Sequence, residues 1–297
     1  MTALIDRIFA PGLFGFTFMA HAWIAVTAIA VTAALVGTFV NLRGASFAAH
    51  AIPQASFAGA AAAYMLNASP LLGMSAGSAL FALALAAVHR GRQSGTLTAL
   101  LLVFGLALGD LLVTLSGAYA PSVYALLFGQ LAGVSASQLT LILSLSAIAV
   151  AGVLAIYRPL MFFTLSPEAA EARGLPTRFL GTAFMILIVL SAALTVPVVG
   201  ALLAFSLMVA PAAAARYLAR TPGRAMAVGV AISLLIGWIS IVVSYDTGWP
   251  VGFLVAALGA VAYAVARVWG TARSRRERAR RQGGSAADAE PARQSAV

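Results

Sequence analysis

The chain has 297 residues, of which 62% are hydrophobic and only 9% are charged. Soluble domains carry about 25% charged residues, so this composition excludes an ordinary soluble globule and predicts a protein solvated by lipid. The net charge is +10, but seven arginines lie between Arg267 and Arg281, directly after the last apolar segment. Such a cluster predicts contact with anionic lipid rather than nucleic-acid binding. Without cysteine, the chain has neither disulfides nor thiolate metal sites.

Apolar segments long enough to cross a bilayer recur along the whole chain. A spanning helix needs about 20 predominantly apolar residues. Small residues within these segments would let the helices pack closely in lipid, so we expect an all-α, polytopic helical bundle with about nine transmembrane helices. The stretch 118–138 is too polar and glycine-rich for a full span and predicts a short re-entrant or interfacial element. The predicted spans are 20–41, 46–66, 70–88, 96–117, 139–157, 179–196, 198–217, 225–244 and 250–268.

The arginines predict the orientation of this bundle. Cytoplasmic loops carry an excess of basic residues, and one orientation places nearly all the arginine-bearing loops on the cytoplasmic side, with Arg43 as a positive-inside anchor. The amino terminus is then outside and the carboxyl terminus is cytoplasmic, which requires an odd number of spans. Residues 1–270 are predicted to form the membrane domain, and 271–297 a basic and then disordered cytoplasmic tail.

The longest charged loop, at about 158–178, is predicted to lie on the cytoplasmic side. Within it Ser166 is predicted as the N-cap of a short helix that has Pro167 at its first position. Gly174 is predicted to end that helix as its C′ residue. The residues alone leave two interpretations open, an ordinary connecting loop and a docking helix for a soluble partner.

Four polar residues near or within the spans are candidates for a cation path. His50 and Gln54 are four positions apart in "SFAAHAIPQASFAG" and would share one helix face. A neutral imidazole suits zinc, and an amide oxygen suits harder ions such as manganese. Asp246 and Asp110 lie near the predicted outer ends of their spans and could add carboxylate ligands. The alternatives are helix-to-helix hydrogen bonding for the first pair and interfacial, solvated carboxylates for the acids.

Five ordered stretches between Leu42 and Leu254 resemble the permeases of zinc/manganese-type metal-ion ABC importers. The loop "FFTLSPEAAEARGLPT" is similar to that family's "F-D-P-E-x-A-x-A-x-G-L". The stretch "LRGASFAAHAIPQASFAGAAAAYML" resembles "L-R-x-x-S-x-x-G-D-A-x-S-H-A-x-x-P-G-x-A". The other three are "LLFGQLAGVSASQL", "VPVVGALLAFSLMVAPAAAARYLAR" and "SYDTGWPVGFLV". His50 and Gln54 stand where the family has Asp and His, and Gly248 stands where the last motif has Asp.

The resemblance implies the permease subunit of an ATP-driven importer that moves a divalent metal ion, zinc or manganese, and that is not itself an enzyme. It implies a second permease copy, cytoplasmic ATP-binding subunits and an extracytoplasmic metal-binding protein as partners, and no cofactor bound by this chain. Two alternatives stay open: a permease for a metal chelate such as a siderophore or cobalamin, and a stand-alone ion-coupled secondary carrier. The residues that would meet the ATP-binding subunit are Pro167, Glu168, Ala172, Gly174 and Leu175.

Overall fold

A computed structural model of the protein describes residues 17–88, 94–115 and 134–294. This part of the chain is helical throughout, with short turns between the helices and no strand. The helices are α1 Thr17–Leu42, α2 Ser46–Met65, α3 Pro70–Val88, α4 Ser94–Leu115, α5 Ala136–Ala155, α6 Tyr157–Leu165, α7 Pro167–Ala172, α8 Thr177–Val199, α9 Ala201–Leu218, α10 Pro222–Thr247 and α11 Val251–Gln294.

The nine helices of 18 residues or more in the described ranges coincide with the nine predicted segments. The predicted all-α bundle is therefore confirmed. Six of these helices are long and apolar enough to cross a membrane, namely α1, α4, α5, α8, α10 and α11. The remaining long helices are α2, which is interrupted by polar residues, and α3 and α9, whose apolar stretches are shorter. Nine crossings and the orientation of the termini stay predictions.

Helix α1 lies at the centre of the bundle, where it packs against α5, α8, α9 and α10. In its most apolar window, 72% of the residues are buried. A Cβ atom added to Gly37 would lie 1.8 Å from the carbonyl oxygen of Met208, so α1 and α9 meet backbone to backbone. A buried hydrogen bond of 2.6 Å between the hydroxyls of Thr32 and Ser146 joins α1 to α5. Small and hydroxyl residues therefore make the central contacts, as expected for helices packing in lipid.

Helices α2, α3 and α4 form a second group, in which α2 packs closely against both of the others. The crossing of α2 and α3 depends on glycine. A Cβ atom on Gly59 would lie 2.0 Å from the carbonyl oxygen of Gly73, and one on Gly73 would lie 2.2 Å from that of Gly59. No side chain fits at this crossing, so it determines the position of α2 and of the polar residues that α2 carries.

Two segment boundaries are set by local sequence. Gly200, at φ +96, separates α8 from α9. The predicted re-entrant element lies outside the described residues over 116–133. Its last residues begin α5 instead, because Ser135 and Gln138 form a reciprocal capping box.

Several arginine-bearing turns lie at one end of the bundle. Arg216, at the end of α9, donates to the carbonyl oxygen of Asn41 at the end of α1 at 3.4 Å. Gly270 of α11 lies against Tyr217. The turns that share a side in the predicted orientation are thus close together, although which side of the membrane they face stays a prediction. Helix α11 continues to Gln294, beyond the predicted boundary at residue 270, so the division into membrane domain and tail also stays a prediction.

Candidate functional site

His50 and Gln54 lie one turn apart on α2 and contact each other directly. The amide nitrogen Nε2 of Gln54 is 2.9 Å from Nε2 of His50. Gln54 is buried, with 4% of its surface exposed, and His50 is half-buried. The two side chains share a helix face, as their spacing predicts, but each pairs with the other rather than pointing at a common third position.

This hydrogen bond determines which atom of the imidazole is available to a ligand. The amide nitrogen of Gln54 only donates, so His50 Nε2 accepts and the proton of the neutral ring lies on Nδ1. If the Gln54 amide is turned over, its oxygen instead faces His50 and accepts from a protonated Nε2. The lone pair of Nδ1 is then free to bind a cation. Nδ1 is buried and has no hydrogen-bond partner in the described part of the chain. In the exchanged arrangement Gln54 would orient the ring and leave Nδ1 to meet the ligand, as hydrogen-bonded partners do for metal-binding histidines.

Two neighbours of this pair were not singled out from the sequence. Pro53 lies inside α2, and because proline has no amide hydrogen, the carbonyl of Ala49 receives no helical hydrogen bond from it. That oxygen adjoins His50 along the chain and is of the hard kind that manganese prefers. Phe205 of α9 packs edge-on against the imidazole, with a centroid distance of 5.0 Å. The proline is visible in "HAIPQ", whereas only the folded chain brings α9 to α2.

The two acidic candidates lie on helices other than α2. Asp110 on α4 and Asp246 near the end of α10 are both exposed. Thr114 donates its hydroxyl to the backbone oxygen of Asp110 at 2.9 Å. Among the described residues, no group of three or more His, Cys, Asp or Glu side chains could hold a metal ion. A cage of imidazole, amide and a single carboxylate, as considered from the sequence, contains fewer than three such side chains and therefore stays a prediction.

The short helix predicted within the 158–178 loop is present as α7, Pro167–Ala172, with Pro167 in its first turn. Glu168 also lies in this first turn, where a negative charge is favourable to the helix dipole. Pro167, Glu168 and Ala172 are all exposed. Ser166 holds the N-cap position, but its side chain makes no capping hydrogen bond. The predicted position of the N-cap is therefore confirmed, whereas the expected hydrogen bond between the Ser166 side chain and the helix is absent.

The carboxyl end of α7 is closed by the backbone. Gly174 adopts φ +71, a conformation that glycine accepts without strain. Its amide donates to the carbonyl of Glu171 at 2.9 Å, and the amide of Leu175 donates to the carbonyl of Ala170 at 3.0 Å. These two bonds form a Schellman motif, which confirms Gly174 as the C′ residue. Leu175 is half-buried and Ala170 fully buried, so α7 is anchored on one side and exposed on the other.

Comparison with known proteins agrees with this architecture. The ABC 3 transport family matches residues 15–269 of the chain. The manganese transport system membrane protein MntC of Listeria monocytogenes is 28% identical over 210 residues, which cover 70% of this chain and 75% of MntC. The high-affinity zinc uptake system membrane protein ZnuB of Haemophilus influenzae is 28% identical over 221 residues, covering 73% of this chain and 84% of ZnuB.

A solved structure shares the fold. PsaBC from Streptococcus pneumoniae, in complex with Fab, superposes with a TM-score of 0.79 at 22% identity. The match covers 90% of this chain and 95% of that one. The resemblance drawn from the five sequence stretches is thereby confirmed at the level of the family.

Proposed function

Because the chain belongs to the ABC 3 transport family, we propose that it is the membrane permease of an ATP-driven importer for a divalent metal ion, manganese or zinc. The family match over residues 15–269 carries this proposal. The names of the relatives MntC and ZnuB supply the two candidate ions. The chain transports and does not catalyse; a separate cytoplasmic subunit hydrolyses the ATP that drives alternating access.

Helix α7 is proposed as the surface that meets the ATP-binding subunit. Its support is the exposure of Pro167, Glu168 and Ala172 on a helix whose carboxyl end is held by its own backbone. A short helix closed in this way presents a rigid face without help from a partner. A second permease copy and an extracytoplasmic metal-binding protein complete the proposed importer.

The ion is proposed to pass His50, with Gln54 as the residue that orients the ring. One imidazole and one freed carbonyl make a weak site, and a transport path needs weak sites because the ion must leave. Asp110 and Asp246 are proposed as further positions along the path that attract cations, since both carboxylates are exposed. A second copy of the chain would double each of these ligands.

Uptake by the complete importer tests the proposed function. The permease, its ATP-binding subunit and its metal-binding protein are expressed together, and ATP-dependent accumulation of Mn²⁺ and Zn²⁺ is measured in cells that lack other importers. We expect accumulation of one of the two ions that requires all three components. Uptake without the ATP-binding subunit would identify a secondary carrier, and uptake of only a chelated metal would identify the chelate permease.

The role of His50 is tested in the same cells with His50→Ala. We expect ion uptake to fall by about tenfold, in line with losses at residues that hold or orient a metal. The matched control is His21→Ala on α1, whose ring contacts the carbonyl of Val134 at 3.2 Å and is not proposed to lie on the path. Equal uptake by the two variants at equal protein amounts would remove His50 from the path.

A further inference from the structure

Arg43, in the turn between α1 and α2, is enclosed by two aromatic rings. Its guanidinium carbon lies 4.4 Å from the ring centroid of Phe163 and 4.8 Å from that of Phe184. Phe184 is buried, with 2% of its surface exposed. Burial lowers the pKa of the Arg43 guanidinium, because desolvation disfavours the charged form. A residue that served only as a positive anchor would keep this group in water.

At one nitrogen of this cation the neighbours are aromatic rings rather than a hydrogen-bond acceptor. The Nη1 atom of Arg43 is buried and has no hydrogen-bond partner among the described residues. A planar guanidinium stacks on aromatic faces, which a lysine ammonium does less well. Stacking is less directional than a hydrogen bond, so the two rings can shift relative to the cation without breaking the contact.

The two phenylalanines belong to the helices on either side of α7. Phe163 is near the end of α6, which leads into α7, and Phe184 is on α8, which follows it. Helix α6 meets α1 a second time through Tyr157 and Phe39, whose centroids are 6.1 Å apart. Contacts near both ends of α6 therefore hold this helix against the end of α1. Because α6 leads directly into α7, they also restrain the start of α7.

The chain on the two sides of Arg43 is held differently. Asn41 donates its amide to the carbonyls of Gly37 at 3.0 Å and of Val209 at 3.1 Å, which fastens the end of α1 to α9. Gly44, next to Arg43, turns the chain at φ +64, and α2 then begins at Ser46. At about 1.5 Å per helical residue, His50 lies roughly 6 Å along α2 from Ser46.

We propose that Arg43 is a positioning residue that links movement of α6 and α7 to the start of α2 and so to the surroundings of His50. This inference rests on the proposed function, because it assumes that an ATP-binding subunit moves α7. A cation held between Phe163 and Phe184 follows both helices that flank α7. The turn at Gly44 lets α2 respond while Asn41 holds α1 in place.

The test uses the whole importer reconstituted in lipid vesicles, with ion uptake and ATP hydrolysis measured in the same sample. We expect Arg43→Ala to lower the number of ions taken up per ATP by about tenfold, a typical size for coupling between sites, while ATP hydrolysis continues. Arg43→Lys should give an intermediate ratio, because it keeps the charge and loses the planar stack. The matched control is Arg267→Ala, which removes an exposed arginine on α11 and should keep the wild-type ratio.

A double-mutant cycle separates this role from loss of folding. Phe163→Leu should lower the ratio as Arg43→Ala does, and the double variant should lower it no further, since both changes break one contact. Additive losses, or a parallel fall of uptake and hydrolysis in Arg43→Ala, would overturn the inference. Wild-type vesicles that take up neither Mn²⁺ nor Zn²⁺ would instead refute the proposed function, so the two failures are distinguishable.

Discussion

The polar pair of α2 and the short helix α7 are built in opposite ways. His50 and Gln54 lie within the bundle, and their position depends on the glycine crossing that holds α2 against α3. Helix α7 is exposed and is closed at its carboxyl end by hydrogen bonds of its own backbone. Substitutions that disturb helix packing should therefore affect the first region, whereas substitutions of surface charge should affect the second through its partner.

The largest effect is expected from Gly59→Ala. The new Cβ would lie 2.0 Å from the carbonyl oxygen of Gly73, and backbone on both sides leaves little room to adjust, so the helices must separate. We expect destabilisation of about 3 kcal/mol, measured as a lower Tm in detergent. The control is Gly181→Ala on α8, where nothing lies within 4 Å of the added atom and the change should stabilise by about 0.5–1 kcal/mol. Similar Tm values for both variants would contradict the close crossing.

A smaller effect, on transport rather than on folding, is expected from Gln54→Leu. The change keeps a buried side chain of similar size and removes the hydrogen bond to His50. We expect metal uptake to fall by about tenfold, as it does when the partner that orients a metal-binding histidine is lost. Thr140→Val, which removes an exposed hydroxyl on α5, serves as the control. Wild-type uptake by Gln54→Leu would mean that the pair only joins two turns of α2.

The exposed helix provides the contrasting prediction, Glu168→Arg. Reversing the charge in the first turn of α7 opposes the helix dipole by about 0.3–1 kcal/mol and changes the surface offered to a partner. We expect less ATP-binding subunit to copurify while the Tm of the permease changes little. Glu168→Gln removes the charge without reversing it and should give an intermediate amount. Recovery of equal partner by all three proteins would rule out Glu168 as part of the docking surface.

The smallest effect is expected from Ser166→Ala. Its side chain makes no capping hydrogen bond, so the change should alter stability by less than about 0.5 kcal/mol. Ser135→Ala is the matched comparison, because that hydroxyl accepts from the amide of Gln138 at 3.3 Å. Loss of such a cap costs about 1 kcal/mol. A larger loss for Ser166 than for Ser135 would show that the capping roles are reversed.

Much of the local structure could be predicted because its causes are local. The lengths of the apolar segments located the long helices, and Gly174 ended α7 as predicted because only its own backbone conformation was needed. Ser166 lies at the predicted N-cap position, but its side chain does not make the hydrogen bond that usually goes with it. A cap requires the side chain and the amide to meet within a few tenths of an ångström, which a sequence pattern does not specify.

The candidate site was predictable only in part for a related reason. Spacing along one helix is sufficient to pair His50 with Gln54. It contains no information on Phe205, which reaches the imidazole from another helix. It also cannot decide whether Asp110 or Asp246 joins the pair, because both acids lie on other helices.

By itself, the sequence determined that the protein lies in lipid, that it is helical and which family it belongs to. Hydrophobicity, segment length and ordered motifs carry these three results, and all are properties of the chain alone. The tertiary structure decided which polar groups are buried and what they meet. Arg43, which the charge pattern treats as an anchor, is placed between Phe163 and Phe184. These rings are far from it in the chain, and only the packing of α6 and α8 against the end of α1 brings the three together.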